Sequence, residues 1–278
     1  MGKKPARRVS FAEAPIITLT TDFGMKDYFV GAVKGVILSA NPAIHIVDIT
    51  HEIPAQDVEA AAFTLLAVCE AFPEGTIHVA VVDPGVGSTR KTLIVQSGGQ
   101  LFVGPDNGIF GYVMKDDALV YEVTNTDYFR KPLSQTFHGR DVFAPLAAAL
   151  SNGTRPSQLG KRTRTWVRLP EITPKHKNDG TIEGRIIHID RFGNCVTNLT
   201  SGDISDKQIA SGVVLSVGSK QVTSFRSFYA EGPGNSRQAF AIWGSAGFLE
   251  IAVQNRSAAA LLKIKRGDKV VASSRSVK

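Results

Sequence analysis

The stretch Ile77-His78-Val79-Ala80-Val81-Val82-Asp83-Pro84-Gly85-Val86-Gly87-Ser88-Thr89-Arg90 decides how this chain is read. Its first six residues form an apolar run rich in β-branched side chains, the pattern of a strand. The run ends abruptly in a carboxylate, a kinked loop with two glycines and an arginine, an arrangement suited to a reacting ligand. Two comparable runs precede it, Ile16-Ile17-Thr18-Leu19-Thr20 and Ile44-His45-Ile46-Val47-Asp48. Between them, Tyr28 to Leu38 and Asp57 to Ala71 carry helical spacing. Strand, helix, strand, helix, strand in that order implies parallel strands joined by crossover helices.

Further strands are expected at Thr92 to Gln96, Gln100 to Val103 and Leu119 to Val123, and a further helix from Asp141 to Leu150. From Arg168 to Gly180 the chain has two prolines, several charges and no apolar period, which marks a domain boundary. Beyond it, short runs at Gly184 to Ile189, Val213 to Val217, Gln238 to Trp243, Phe248 to Val253 and Lys269 to Val271 are separated by Gly, Ser, Asn and Asp. That spacing suggests a small all-β domain. The expected organisation is a basic flexible tail over residues 1–15 and an α/β domain with a mostly parallel central sheet over 16–167. A linker over 168–180 then leads to a smaller, barrel-like, β-rich domain over 181–278.

Composition agrees with one large or two ordinary domains, of which two are expected, since 278 residues with 43% hydrophobic and 21% charged side chains can bury a substantial core. The 32 Lys and Arg against 25 Asp and Glu give a net charge of +7, and Lys3, Lys4, Arg7 and Arg8 supply part of it in the tail. The remaining basic residues are scattered and not interleaved with aromatics, so no nucleic-acid partner is expected. The basic N-terminus is followed by Phe11-Ala12-Glu13-Ala14-Pro15 instead of a continuous apolar run, and no segment has membrane-spanning length. Cys69 and Cys195 are far apart without a second soft ligand nearby, which suggests neither a disulfide scaffold nor a zinc site. The expectation is a soluble cytoplasmic protein without membrane partners.

Open α/β sheets place ligands beyond the carboxyl ends of their strands. Asp22, Asp48 and Asp83 each close one of the first three expected strands. A carboxylate there can bind a ribose diol, orient a water or ligate a metal, and it can equally cap the following helix. Asp48 is read as a helix cap. Glycines around Asp22 and Asp83 let a ligand approach the backbone, which favours function at both. Arg90 can bridge Asp83 over a pocket or form an ordinary surface ion pair. His138, beside a glycine in Thr136-Phe137-His138-Gly139-Arg140-Asp141, is the best acid-base candidate of the six histidines, whereas His45 and His78 lie inside strand patterns and read as structural.

Two fragments are dismissed. Asp22-Phe23-Gly24 and His138-Gly139-Arg140-Asp141 stand in the reverse of protein-kinase order with no nucleotide loop before them, and Gly85-Val86-Gly87 lacks the third glycine of a dinucleotide fingerprint. In the second domain, Asp190 can pair with an ammonium, Phe192 can stack on a flat base and Asn194 can read adenine, or the three can simply stabilise a hairpin turn. The small-residue loop Gly244-Ser245-Ala246-Gly247 would suit a carboxylate.

Taken together, Thr21-Asp22-Phe23-Gly24, Val82-Asp83-Pro84-Gly85-Val86-Gly87 with Arg90, Gly104-Pro105-Asp106-Asn107-Gly108, Phe137-His138-Gly139-Arg140-Asp141, Asp190-Arg191-Phe192-Gly193-Asn194 and Gly244-Ser245-Ala246-Gly247 resemble one family over about Ile16 to Val271. The chain is similar to S-adenosyl-L-methionine hydroxide adenosyltransferases, relatives of the fluorinating and chlorinating enzymes. The resemblance implies that water, activated as hydroxide, displaces methionine from the ribose 5′ carbon, giving adenosine and L-methionine with no metal and no cofactor beyond the substrate. It implies an Asp83, Arg90, His138 catalytic triad, which halogenating relatives lack. It also implies ribose binding by Asp22, ammonium binding by Asp190, adenine recognition by Asn194 with Phe192 packed on the base, and carboxylate binding by Ser245. Phe137 joins the expected substrate-binding residues. A homotrimer with sites at subunit interfaces is implied as well. Ala246 stands where fluorinating relatives have an arginine, so carboxylate recognition differs in detail, and Glu250 has no assigned role. Halide-dependent adenosyl transfer, or binding of adenosine or S-adenosyl-L-methionine without turnover, are the alternative functions.

Overall fold

The computed structural model describes residues 14–232 and 237–274, so nearly all of the expected basic tail lies outside the described residues. Contacts divide the chain into two units, Met1–Leu169 and Pro170–Lys278. Among the described residues no helix is long and apolar enough to cross a membrane.

The first unit is a layered α/β structure. Its strands are β1 (Ile16–Thr21), β2 (His45–Thr50), β3 (Ile77–Val81), β4 (Thr92–Ser97), β5 (Gln100–Pro105), β6 (Leu119–Val123) and β7 (Gly160–Thr163), interleaved with helices α1 (Phe29–Ala40), α2 (Val58–Val68), α3 (Ala144–Ser151) and α4 (Pro156–Leu159). They form one sheet in the order β2-β1-β3-β5-β4-β6-β7. The half containing the three runs read from sequence is parallel, β2 to β1, β1 to β3 and β3 to β5. The half from β5 through β4 and β6 to β7 is antiparallel, starting from the β4–β5 hairpin.

Strand alternation explains why β1 and β3 read as continuous apolar runs. Ile17, Leu19, Ile77, Val79 and Val81 point into a core shared with Val33 and Ile37 of α1 and Leu146 of α3. On the opposite face, Ala80 and Val82 join Ala60, Ala61 and Leu65 of α2 together with Phe102 and Phe110. A parallel sheet covered on both faces requires apolar residues at both strand parities.

α1 leads from β1 out to β2, and α2 leads from β2 back across β1 to β3, so the strand order reverses at β1, which lies between β2 and β3. Ligand crevices form at such reversals, beyond the carboxyl ends of the strands. In register, Thr21 of β1 pairs with Val81 of β3, so Asp22 and Asp83 emerge side by side. Asp48 does not join them and is not a helix cap. It sits inside β2, opposite Leu19, where Lys34 Nζ donates to it at 2.6 Å. The cap of α2 is Asp57, which accepts from the Ala60 amide at 3.0 Å. The reason is length: β2 continues to Thr50, and the connecting segment then turns before the helix begins.

The second unit is a curled sheet forming a half-barrel. Its strands are β8 (Lys175–His176), β9 (Ile182–Ile189), β10 (Cys195–Thr200), β11 (Val213–Val217), β12 (Lys220–Val222), β13 (Phe225–Arg226), β14 (Phe240–Trp243), β15 (Phe248–Ala252) and β16 (Lys269–Ser274). The order is β12-β11-β16-β9-β10-β15-β14-β13, with β8 added on β9. Ile186, Leu199, Leu215, Leu249, Ile251 and Val270 fill the inside of the curl. Two short helices absent from the sequence reading, α5 (Asp206–Ala210) and α6 (Ala258–Leu262), are opened by Ser205 and Ser257, whose side chains accept from backbone amides. Cys69 and Cys195 are both free and buried.

His78 bears out its structural reading. It is fully buried in β3, its Nδ1 lies 2.7 Å from Thr18 Oγ1, and its ring stacks on Phe102 at 4.9 Å. Burial disfavours the imidazolium and pulls its pKa down to about 4. In the unfolded chain the same group titrates near 6.5, so between these values the unfolded state binds the extra proton. Stability from this residue is therefore complete above about pH 6.5 and declines as pH falls towards 4, by about 3 kcal/mol in all. Urea unfolding at pH 7 and pH 4.5 is expected to show a larger acid-induced loss for the native chain than for His78→Gln. Equal losses would assign the acid sensitivity to other groups.

Candidate active site

The loop after β3 is shaped by its glycines. Gly87 has φ +79°, and a Cβ there would collide with the Gln135 carbonyl. Only glycine lets this loop lie against the 135–138 segment, which brings residues 83–90 beside His138. From the other side, Asn107 Nδ2 donates to the Val82 carbonyl at 2.7 Å and fixes the chain just before Asp83. Asn107 stands in one of the motifs quoted above, but its spacing gives no hint of this role.

Arg90 joins the parts. Its Nε donates to both Asp83 oxygens at 2.8 Å, and its Nη2 donates to Asp83 Oδ2 as well. The same Nη2 lies 2.9 Å from His138 Nδ1. The guanidinium packs over the Phe143 ring at 5.3 Å. The Asp83 and Arg90 side chains are only 5% and 10% exposed, so the surface ion-pair alternative is excluded. A planar fork of donors against a carboxylate fixes geometry as well as charge.

His138 is held by an unusual turn. Gly139–Phe143 forms one π-helical turn leading into α3, where Pro145 lacks an amide hydrogen to extend the preceding pattern. Fully buried Asp141 anchors this turn by accepting from Arg140 Nε at 2.7 Å and from the Ser134 amide at 2.9 Å. Burial, followed by the positive charge of Arg90, holds the His138 pKa below its ordinary 6.5. The ring is thus neutral at pH 7. A guanidinium can only donate, so Nδ1 is the acceptor and the ring hydrogen sits on Nε2. Nε2 has no partner among the described residues.

Asp83 and His138, with Asp22, Phe23, Phe137 and Val86, line a cavity of about 370 Å³ in the first unit. Asp22 is positioned by a relay absent from the sequence reading. Its Oδ2 accepts from the Gln56 amide at 2.8 Å, and Gln56 takes φ +66° to do so. Thr21 Oγ1 accepts from the Phe23 amide at 3.2 Å and lies 2.8 Å from His51 Nδ1. His51 Nε2 in turn meets Asp48 Oδ1 at 3.1 Å, which is where Asp48 finds its use. Phe137 is buried against Phe23 and Phe29 and forms the apolar wall of the cavity.

In the second unit, Asp190, Phe192, Asn194, Ser245, Tyr229 and Glu250 line a larger cavity of about 910 Å³. Asp190 Oδ1 accepts from the amides of Phe192 at 2.9 Å and Asn194 at 2.8 Å, and its Oδ2 accepts from Asn194 Nδ2 at 2.9 Å. The hairpin-turn reading of this loop therefore holds. It also leaves Phe192 standing 76% exposed at the cavity. Ser245 is exposed in the tight β14–β15 turn closed by the Gly247 amide on the Gly244 carbonyl at 3.0 Å. Tyr229 was missed from sequence because nothing in its neighbourhood has a period or motif. Its hydroxyl donates to Glu250 Oε2 at 2.9 Å.

The model of the SAM hydroxide adenosyltransferase N-terminal domain matches residues 17–160, and that of the C-terminal domain matches residues 184–271. A Salinispora arenicola protein named (R)-S-adenosyl-L-methionine hydrolase is 36% identical over 268 residues, covering 93% of this chain and 98% of the relative. A protein of Nocardia brasiliensis named fluorinase is 27% identical over 231 residues, 73% of this chain and 77% of its own length. A solved structure of an uncharacterized conserved protein from Thermotoga maritima superposes with a TM-score of 0.83 at 33% identity, covering 92% of this chain and 99% of that one. The two matched domains, the near-complete coverage and the shared fold agree: the chain belongs to the SAM hydroxide adenosyltransferase family.

Proposed function

We propose that this protein hydrolyses S-adenosyl-L-methionine to adenosine and L-methionine. The observation that carries this reading is the Arg90 guanidinium engaged on one edge by the Asp83 carboxylate and on the other by a neutral His138. A water held there attacks the ribose C5′ in line with the bond to sulfur. The C5′–O bond forms as the C5′–S bond breaks, its electron pair leaves on sulfur as the thioether of methionine, and one proton is released. Arg90 and the His138 Nε2–H stabilise the growing hydroxide character, and Asp83 takes the proton. A sulfonium is already a good leaving group, so the reaction needs orientation and exclusion of bulk water more than it needs a Lewis acid. We accordingly propose no metal and no further cofactor.

Asp22 takes the ribose hydroxyls, Phe137 walls the reacting centre, Phe192 packs on the base and Asn194 reads the adenine edge through Oδ1. Asp190 and Ser245 take the ammonium and carboxylate of the methionine part. Likeness over nearly the full chain to a relative named hydrolase, against lower identity over less of the chain for one named fluorinase, supports water over halide as the nucleophile. We place the protein in the cytoplasm, where two buried, unpaired cysteines suit a reducing compartment. We further propose a homotrimer in which the pocket of the first unit in one subunit meets the pocket of the second unit in its neighbour.

Product chromatography is expected to show adenosine and methionine without added metal, in EDTA, and no 5′-halo-adenosine with chloride or fluoride. Asp83→Asn and His138→Ala are each expected to lower kcat by about 100-fold or more with the fold intact by circular dichroism. Full activity in both variants would remove the triad from the mechanism, and binding without product would make the protein a sensor.

Because protonation of His138 removes the acceptor for Arg90, activity should fall on the acid side. Its lowered pKa puts that limb of kcat/KM below pH 6.5. A limb at or above 6.5 contradicts the neutral-imidazole mechanism.

Subunit exchange tests the shared site. Mixing inactive Asp83→Asn and Asp190→Asn proteins at equal amounts should restore about a quarter of native activity if each site takes one unit from each of two neighbours. No recovery after verified exchange confines the site to one chain.

A further inference from the structure

An ionised carboxylate offers about four acceptor positions. Asp22 accepts from the Gln56 amide through Oδ2, which leaves most of its capacity open toward the cavity it lines. A diol takes two of those positions only if the carboxylate is set at the right angle. What sets that angle is the turn on which Asp22 sits.

This turn is held by the segment that follows β2. The Gly24 amide donates to the His51 carbonyl at 2.7 Å, and the Ile53 amide donates to the Thr21 carbonyl at 3.3 Å. One side-chain contact crosses beside these backbone bonds: Thr21 Oγ1 lies 2.8 Å from His51 Nδ1, with both residues buried. The same Oγ1 accepts from the Phe23 amide, closing a hydroxyl turn around Asp22 itself. Whatever orients the Thr21 hydroxyl therefore orients the residue between.

The His51 ring is fixed from its far side. Its Nε2 lies 3.1 Å from Asp48 Oδ1, while Lys34 Nζ donates to Asp48 Oδ2 at 2.6 Å. Burial opposes ionisation of Asp48, yet the bonds from Lys34 and His51 outweigh it and hold the carboxyl below its ordinary range. An ionised carboxylate can only accept, so the ring carries a hydrogen on Nε2. With the ring neutral, Nδ1 accepts the Thr21 hydroxyl hydrogen and leaves the hydroxyl oxygen to the Phe23 amide. None of Thr21, His51 and Asp48 lines the cavity, so their effect reaches a ligand through Asp22.

We infer that His51, oriented by Asp48, is a positioning residue that acts through Thr21 on Asp22 and sets how strongly the site prefers a ribose diol. This rests on the ribose reading of Asp22 proposed above. The test is calorimetry of adenosine and 2′,3′-dideoxyadenosine on the full-length protein, with turnover of S-adenosyl-L-methionine measured alongside. The native protein should prefer adenosine by about tenfold or more. Thr21→Val and His51→Leu should each shrink that preference about fivefold or more, while affinity for 2′,3′-dideoxyadenosine stays within about twofold. Because the two residues act in series, the double variant should lose no more than either single one. Asp48→Ala, on the partly exposed edge strand, should shift the preference the same way and gives a reading even where His51→Leu does not fold. Asp48→Asn, which keeps an acceptor for the Nε2 hydrogen, should restore most of it.

Equal weakening of both nucleosides would make the relay a scaffold for the pocket and overturn the inference. Additive losses in the double variant, or a preference unchanged in both Thr21→Val and Asp48→Ala, would overturn it too. A native protein indifferent to the diol removes Asp22 from the ribose and takes the inference with it. If the native protein prefers the diol through this relay yet forms no adenosine from S-adenosyl-L-methionine, the relay stands and the proposed hydrolysis fails.

Discussion

Arg90 is the point at which the first unit is tied together. Its guanidinium reaches the carboxylate that follows β3 and the imidazole that precedes α3, the latter 48 residues along the chain from Arg90 itself. Buried charges are tolerated only when paired and hydrogen-bonded, and removing one partner of such a pair typically costs about 3–5 kcal/mol. The contact therefore does two things at once. It makes the buried Asp83 tolerable, and it sets His138 in the tautomer that points an N–H away from the arginine. The π-helical turn at Gly139–Phe143, the Asp141 anchor and the close approach at Gly87 all serve to bring the histidine to that guanidinium.

The same logic of satisfied polar groups separates the two cavities. In the first, polar side chains reach across elements: Asn107 holds Val82, the backbone of Gln56 holds Asp22, and Asp48 reaches Thr21 through His51. These long-range contacts hold Asp22 and the chain just before Asp83 in place, and catalysis by positioning depends on groups fixed in this way. In the second, Asp190 spends most of its bonding capacity on its own turn. Preorganisation there concerns the loop.

Much of this was legible in the chain itself. The apolar runs of β1 and β3 are read correctly because burial on both faces removes polar residues from both parities, and the carboxylates that end them are where the sheet topology opens a crevice. Asp83 and His138 stand out by residue type and loop context, Arg90 is left open between a bridge and a surface pair, and their grouping comes from the family resemblance; the structure brings the three together. Asp48 was misread because strand ends are set by hydrogen-bond pairing with β1, which a local pattern does not report. The antiparallel half of the sheet and the short helices α5 and α6 escaped for a related reason: a strand's direction depends on its partner, and five residues carry too little periodicity.

The sequence by itself determined the α/β order of the first half, the change to short β runs after residue 180 and the residue types that carry the chemistry, because burial and turn formation act on neighbours in the chain. Tertiary structure alone decided which alternative each polar residue took. Arg90 is a buried bridge and not a surface pair because Gly87 admits the Gln135 backbone. Asp48 supports Thr21 instead of capping a helix because His51 lies between them. Each choice turns on desolvation and on distances between residues remote in sequence, and neither quantity exists until the chain has folded.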